Sequence, residues 1–385
     1  MIKFKILKAE DYCDSVRDGT HDSPKKTDSG YKLITSKHIK EYGLDLDSAY
    51  CISEKDFNKV NERSAVNIND ILYSMIGTIG LMYRVESQPN YAIKNMGLFK
   101  ISDEIKSKWL YYYLKLPKTQ NYIKSLLNGS TQQYITLSNL RQIPIEMPEN
   151  KGDMKKIIKV LDLIDKKIQI NTKTNDNLQE LLLYKYNSYF QGKISNGKLK
   201  DIVLKTNRTI KKDKINESLK YYPIDVLPKN NIILQDGKSI EEAQSSLIEF
   251  NKNEILVGAM RVYFHRVCLT NNSGITRNTT FVLKPKDEDY LYYSLLTLYQ
   301  DSFIDYASIT SKGTTMPYAV WENVCSEFDI YIPTKEELEE FNIVCKVILN
   351  KMNINQAENQ NLEQIRDTLL PKLMNGEIDL DKVEI

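Results

Sequence analysis

Between Asp153 and Ile194 apolar or asparagine side chains fall at Ile157, Leu161, Ile164, Ile168, Asn171, Asn175, Leu178 and Leu182. The steps alternate four and three, the heptad rhythm that draws one narrow seam along a helix. No proline interrupts the run. Gly192 stands just beyond it, where a helix is expected to stop. A helix of roughly 35 residues is about 50 Å long.

The pattern returns further along the chain. At a constant offset of 184 the same positions are Phe341, Cys345, Ile348, Met352, Asn355, Asn359, Leu362 and Arg366. Gly192 and Ile194 return as Gly376 and Ile378. The chain is an internal tandem repeat. Asparagine at a seam costs stability but fixes register, because its amide needs a polar partner opposite. Two helices with matching asparagines predict an antiparallel coiled coil within one chain. The reading is a mixed α/β (α+β) fold with an internal pseudo-twofold repeat. Its expected parts are a first unit over 1–150, a long helix in 151–194, a second unit over 195–334 and a second long helix in 335–385.

Between the helices the pattern shortens to strands and polar loops. Lys32–Thr35 reads as a short strand, and Asp70–Ser74 alternates like one. Asn253–Leu256 repeats the latter at the same offset. Gly77–Gly80 reads as a tight turn, Trp109–Leu116 as a buried helix, and Ile143–Pro148 as an edge strand. The segment Arg17–Gly30 is a long polar loop carrying His21, Lys25 and Lys26. It is either an ordinary solvated connection or a basic loop that touches phosphates and base edges. Asn128–Tyr134 is a second polar loop, answered by Ser311–Tyr318, with Gly313 and Tyr318 matching Gly129 and Tyr134. The framework repeats and the loops differ, which suits one scaffold with two recognition surfaces.

If they touch phosphates and base edges, those loops supply the candidate DNA contacts. In the first half they are Thr20, His21, Lys25, Lys26, Lys37, His38, Thr78, Thr131, Gln132 and Gln133. In the second they are Arg261, His265, Arg277, Lys312, Thr314 and Thr315. Glutamine can bond adenine in two places, and hydroxyls accept several partners.

The overall charge is only +2, so any basic surface must be local. Five cysteines without C-x-x-C spacing argue against a disulfide scaffold and a structural zinc site. No apolar run approaches the length that crosses a bilayer, which predicts a soluble, cytoplasmic chain away from membranes. Gly192–Lys198 fits a phosphate-loop pattern, but Leu199 stands where a hydroxyl should hold magnesium. Glu104-Ile-Lys106 and Asp165-Lys-Lys167 match a nuclease fragment by spacing alone. Neither an adenine-methyltransferase motif nor a catalytic triad is present.

With these residues in place, the chain resembles the specificity subunits of type I restriction–modification systems. The likeness rests on Asp18-Gly-Thr-His-Asp-Ser-Pro24, Asp70-Ile-Leu followed by Gly77-Thr-Ile-Gly80, and Glu254–Arg261. The two asparagine-bearing helices and the ending Leu362–Ile378 complete it. The resemblance implies two target-recognition domains joined by antiparallel spacer helices, and a subunit without catalysis. Its implied partners are double-stranded DNA, two methyltransferase subunits and, through them, restriction and translocation subunits. S-adenosylmethionine, magnesium and ATP would belong to those partners. The implied target is bipartite; a ruler of roughly 50 Å spans about 15 base pairs at about 3.4 Å each. Leu182–Tyr186 lacks the Arg366–Pro371 pattern, so the two helix ends are expected to grip partners unequally. Two rivals remain: a free-standing tandem DNA-binding protein, and an enzyme with an unfamiliar nuclease or methyltransferase site.

Overall fold

Two helices of 40 residues each, Lys151–Phe190 and Lys335–Met374, carry the heptad runs in the computed structural model. The structure describes residues 2–40, 43–129 and 132–378. Gly192 and Gly376 follow the helices with φ of +80° and +70°, the left-handed turn that ends a helix and suits glycine. Pro371 removes one ladder hydrogen bond close to the end of the second helix. The chain divides into two compact units, Met1–Gln169 with Asn361–Ile385, and Ile170–Gln360. Each long helix contributes to both.

The first unit is built on four antiparallel strands in the order Ser15–Asp18, Met96–Lys100, Ile71–Ser74 and Met82–Arg84. Trp109, Tyr112 and Leu114 of the helix Glu104–Lys115 are buried in the core on this sheet, as their apolar run predicts. Trp109 Nε1 donates to the Glu146 carbonyl at 3.0 Å. That carbonyl lies on the strand Pro144–Pro148, which among the described residues pairs only with Phe4–Lys8. Ile157, Ile158 and Leu161 join Leu370, Leu373 and Met374 in the same core, so the helices run antiparallel. Arg366 falls on the seam and donates to Asp165 at 3.0 Å, with both side chains about nine-tenths covered.

The second unit repeats the order with Val203–Thr206, Thr280–Pro285, Ile255–Gly258 and Val267–Leu269. Register repeats too. Ser74 faces Met96 and Leu72 faces Leu98; at the repeat offset, Gly258 faces Thr280 and Leu256 faces Val282. Even a loop closure recurs. The Asn67 amide donates to Asp70, and the Asn251 amide to Glu254, both at 2.8 Å. On the helices Asn171 pairs with Asn359 and Asn355 with Asn175, as the matched registers require. Cys345, Ile348 and Met352 are buried beside them, while Ile164, Leu178 and Leu362 are half-buried. Burial pushes the Cys345 thiol up to about 12, so it stays protonated and packs as a small apolar group.

The units part company in their second sheets. The first has Cys51–Ile52, Tyr31–Ile34 and Tyr91–Ile93 in order, with the helix Glu54–Ser64 packed nearby. The second has four strands, Thr209–Ile210, Leu247–Phe250, Gly274–Arg277 and Lys220–Tyr221. The parallel pair is common to both, Tyr31–Ile34 with Tyr91–Ile93 and Lys220–Tyr221 with Gly274–Arg277. The antiparallel partner joins on opposite sides of that pair.

Candidate nucleic-acid interface

Asp18, Gly97 and Tyr73 lie in register across three strands of the first unit. Beyond them the chain leaves through Gly19–His21, enters through Lys94–Asn95 and leaves again through Met75–Thr78. These loops therefore share one end of the sheet. Close approach demands Gly19 there: a Cβ would sit 2.5 Å from the Ile93 carbonyl oxygen. The second unit does the same with Ala259–Arg261 and Arg277–Thr279, where the Ala259 amide donates to Thr279 O at 2.8 Å.

A short hairpin is tied to the same end in both units. Asn128 and Tyr134 exchange backbone hydrogen bonds of 2.9 Å, as do Lys312 and Tyr318. Tyr134 bridges to Ile76 and Tyr318 to Met260, again at the repeat offset. Gly129 and Gly313 turn the hairpins with φ of +88° and +90°. Gln132, Gln133, Lys312, Thr314 and Thr315 are exposed on these hairpins, and Thr78 is exposed on the neighbouring turn. Thr131 lies outside the described residues. The exposed rings of Tyr134 and Tyr318 escaped the sequence reading, although their repeat position was noted.

His21 is exposed and held between Asn95 Oδ1 at 2.9 Å and Asp18 Oδ2 at 3.0 Å. Thr20 is half-buried, and its hydroxyl accepts from the Asp22 amide. Lys25, Lys26 and Lys37 are exposed. His38 is not: it is sealed from solvent, and its Nδ1 accepts from the Thr35 amide at 2.9 Å. Burial holds its pKa below the usual imidazole range, so it stays neutral and structural. His265 is likewise turned inward. Its Nε2 meets the Tyr299 carbonyl oxygen at 2.9 Å and its ring lies on Tyr299 at 4.3 Å. Both histidines were read as contacts because a lone histidine in a polar loop does not reveal which way it packs. Arg261 and Arg277 are half-buried, each with an Nε that has no hydrogen-bond partner among the described residues. Arg261 reaches toward the Thr315 carbonyl at 3.5 Å.

Among the described residues, no group of three or more His, Cys, Asp or Glu could hold a metal ion. Among them, too, no helix is long and apolar enough to cross a membrane.

The fold is thus a duplicated α+β unit with polar loops gathered at one end of each sheet and a coiled-coil seam in each unit. Residues 1–180 match the family described as type I restriction modification DNA specificity domain. The chain is 24% identical over 332 residues to the type I restriction enzyme MjaIX specificity subunit of Methanocaldococcus jannaschii, covering 73% of this chain and 71% of the relative. It is 22% identical over 404 residues to the type I restriction enzyme HindI specificity subunit of Haemophilus influenzae, covering 82% and 88%. Its fold is similar to the crystal structure of the type I restriction–modification S subunit from M. genitalium, with a TM-score of 0.57, 17% identity and coverage of 97% and 96%. Residues 1–180 thus match a type I restriction–modification DNA specificity domain, and the chain is similar to type I specificity subunits over most of its length.

Proposed function

We propose that each unit reads one short block of a bipartite DNA target, and that the two long helices hold the blocks at a fixed spacing. The observation that carries this is the duplication itself. One strand order and register recurs at a constant offset, while the loops at the sheet ends carry different side chains. Equal scaffolds with unequal loops suit two unequal half-sites. The recognition domains are then 1–150 and 195–334, with 151–194 and 335–385 as spacers.

The helices also support a scaffolding role. Leu163, Ile170 and Leu181 are exposed on the first, and Val347, Ile354 and Ile365 on the second. Each of the second set stands at the repeat offset from its counterpart. Exposed apolar side chains at repeated positions suit two copies of one partner, here two methyltransferase subunits that in turn carry restriction and translocation subunits. S-adenosylmethionine, magnesium and ATP belong to those partners in this reading, and the chain itself is not catalytic.

The test is site selection by the assembled methyltransferase. Two short blocks with a spacer of one length are expected. Gln133→Ala should relax one block and Arg277→Ala the other, each by about 1–3 kcal/mol at a single position. A contiguous target, or both substitutions acting on one block, would overturn the proposal. Methyl transfer by the isolated chain would favour the enzyme reading instead.

A further inference from the structure

A groove of about 780 Å³ opens at the loop end of the first unit. One wall is the loop Thr20–Lys25. The other is the helix Glu54–Ser64, through Asp56, Lys59, Val60, Arg63 and Ser64. Val60 and Ser64 face inward and are buried. Lys59 and Arg63, one turn apart, stand on the same side of the helix toward the groove. Asp56 is turned back to its own helix start, where it accepts from Ser53 Oγ.

Arg63 is the group this groove is organised to present. Its Nη2 donates to Asp18 Oδ1. The Asp18 side chain is only 10% exposed, whereas that of Arg63 is 63% exposed. A nearly buried carboxylate thus anchors one edge of the guanidinium and leaves other N–H groups facing solvent. The same Asp18 holds His21 through its second oxygen. The helix end is fixed as well, because Arg17 Nη1 donates to the Arg63 carbonyl at 2.9 Å. A planar donor fork, held by a carboxylate from behind, matches the paired N7 and O6 acceptors of guanine in the major groove.

We propose that Arg63, positioned by Asp18, reads a guanine in the block recognised by the first unit. The inference rests on the DNA-reading role proposed above. It also assigns this contact to one block only. Between Tyr221 and Leu247 the second unit has a single short turn, Ile240–Glu242, as its only helical element among the described residues. Its Arg208 is instead paired with the buried Glu254.

The experiment uses the assembled methyltransferase and binding to DNA in which each guanine is replaced in turn by 7-deazaguanine. With the native chain, one guanine in the first block should lose about ten- to a hundredfold in affinity. With Arg63→Ala, discrimination at that position should already be lost, so the replacement should add no further effect. Asp18→Asn should weaken the same position by a smaller factor, since the fork remains but its anchor is uncharged. The second block is the internal control and should be read unchanged by every variant. The native-chain scan needs no substitution, so a variant that fails to fold leaves the first result standing. A native split target whose first block has no N7-sensitive guanine would overturn the assignment, as would full N7 sensitivity in Arg63→Ala. No split target at all would instead count against the parent reading.

Discussion

Asn171 Nδ2 donates to Asn359 Oδ1 across 2.9 Å, with both side chains almost closed to water. One turn along the first helix, Asn175 Oδ1 accepts from Asn355 Nδ2 at 2.8 Å. The second pair also reaches the backbone, where Asn175 Nδ2 donates to the Met352 carbonyl at 3.0 Å. These amides make one alignment of the helices better than its neighbours, because a shift by a heptad would set Asn175, Asn355 and Asn359 against leucine or isoleucine and Asn171 against Met352 or Arg366. Asn171→Leu should therefore cost about 1–3 kcal/mol, since it removes the donor to the buried Asn359 Oδ1 and the bond to Glu358, while Asn359 Nδ2 keeps Thr172 Oγ1. Asn171→Leu with Asn359→Leu should recover most of that loss while relaxing register. Denaturant unfolding of both single variants and the double variant checks it; simple additivity would mean that the amides do not act as a pair.

That pairing was legible in the sequence because heptad spacing and the constant repeat offset each constrain it. One strand of each central sheet was legible for the same reason, through Asp70-Ile-Leu and Glu254-Ile-Leu, whereas Ser15–Asp18 runs into what reads as the polar loop Arg17–Gly30. Of the second sheets only the strand Tyr31–Ile34 was, read as Lys32–Thr35. Their other strands lack a repeated sequence signal, and their order follows from partners far along the chain. Arg63 shows the limit most clearly. In Glu54–Ser64 it looks like one more charge on a solvated helix face, and its meaning comes from Asp18, far earlier in the chain. His38 and His265 fail in the opposite sense, since tertiary packing turned both rings away from the surface that their polar neighbours suggest.

The two hairpin glycines share a backbone conformation but not a neighbourhood. At Gly129 a Cβ would meet the Gln132 carbonyl oxygen at 2.4 Å, whereas at Gly313 its nearest contact is 3.5 Å away. Both Gly→Ala changes carry the strain of positive φ, about 1 kcal/mol or more. Gly129→Ala should cost at least about 1 kcal/mol beyond Gly313→Ala, from the added clash. Equal losses in thermal unfolding would show that the first hairpin shifts to make room.

Glu337 caps the start of the second long helix. It accepts from the Thr334 amide at 2.9 Å, from the Tyr331 hydroxyl at 2.8 Å and from Lys193. These donors, Lys193 first, hold its carboxyl down at about 2, below the ordinary glutamate range. A depressed carboxylate pKa stabilises the fold above its unfolded value and ceases to do so as pH falls through the folded one. The contribution should therefore be complete above about pH 4.5 and fade between there and about pH 2. Glu337→Gln should flatten stability across that window and lower it at neutral pH. An unchanged acid profile would mean that solvent screening removes the effect.

His265 separates packing from recognition. Its backbone sits at φ +51°, a conformation that asparagine tolerates better than alanine. His265→Asn should keep the turn yet lose the ring on Tyr299 and the bond to its carbonyl, at about 1–2 kcal/mol. The base preference of the second block should not change, because the ring is only 13% exposed and already committed. Arg277→Ala should show the reverse, with little effect on unfolding and a relaxed base position. Parallel measurements of melting temperature and selected sequence on the two variants decide the matter. A changed base preference in His265→Asn, at unchanged stability, would return that histidine to the DNA-contacting set.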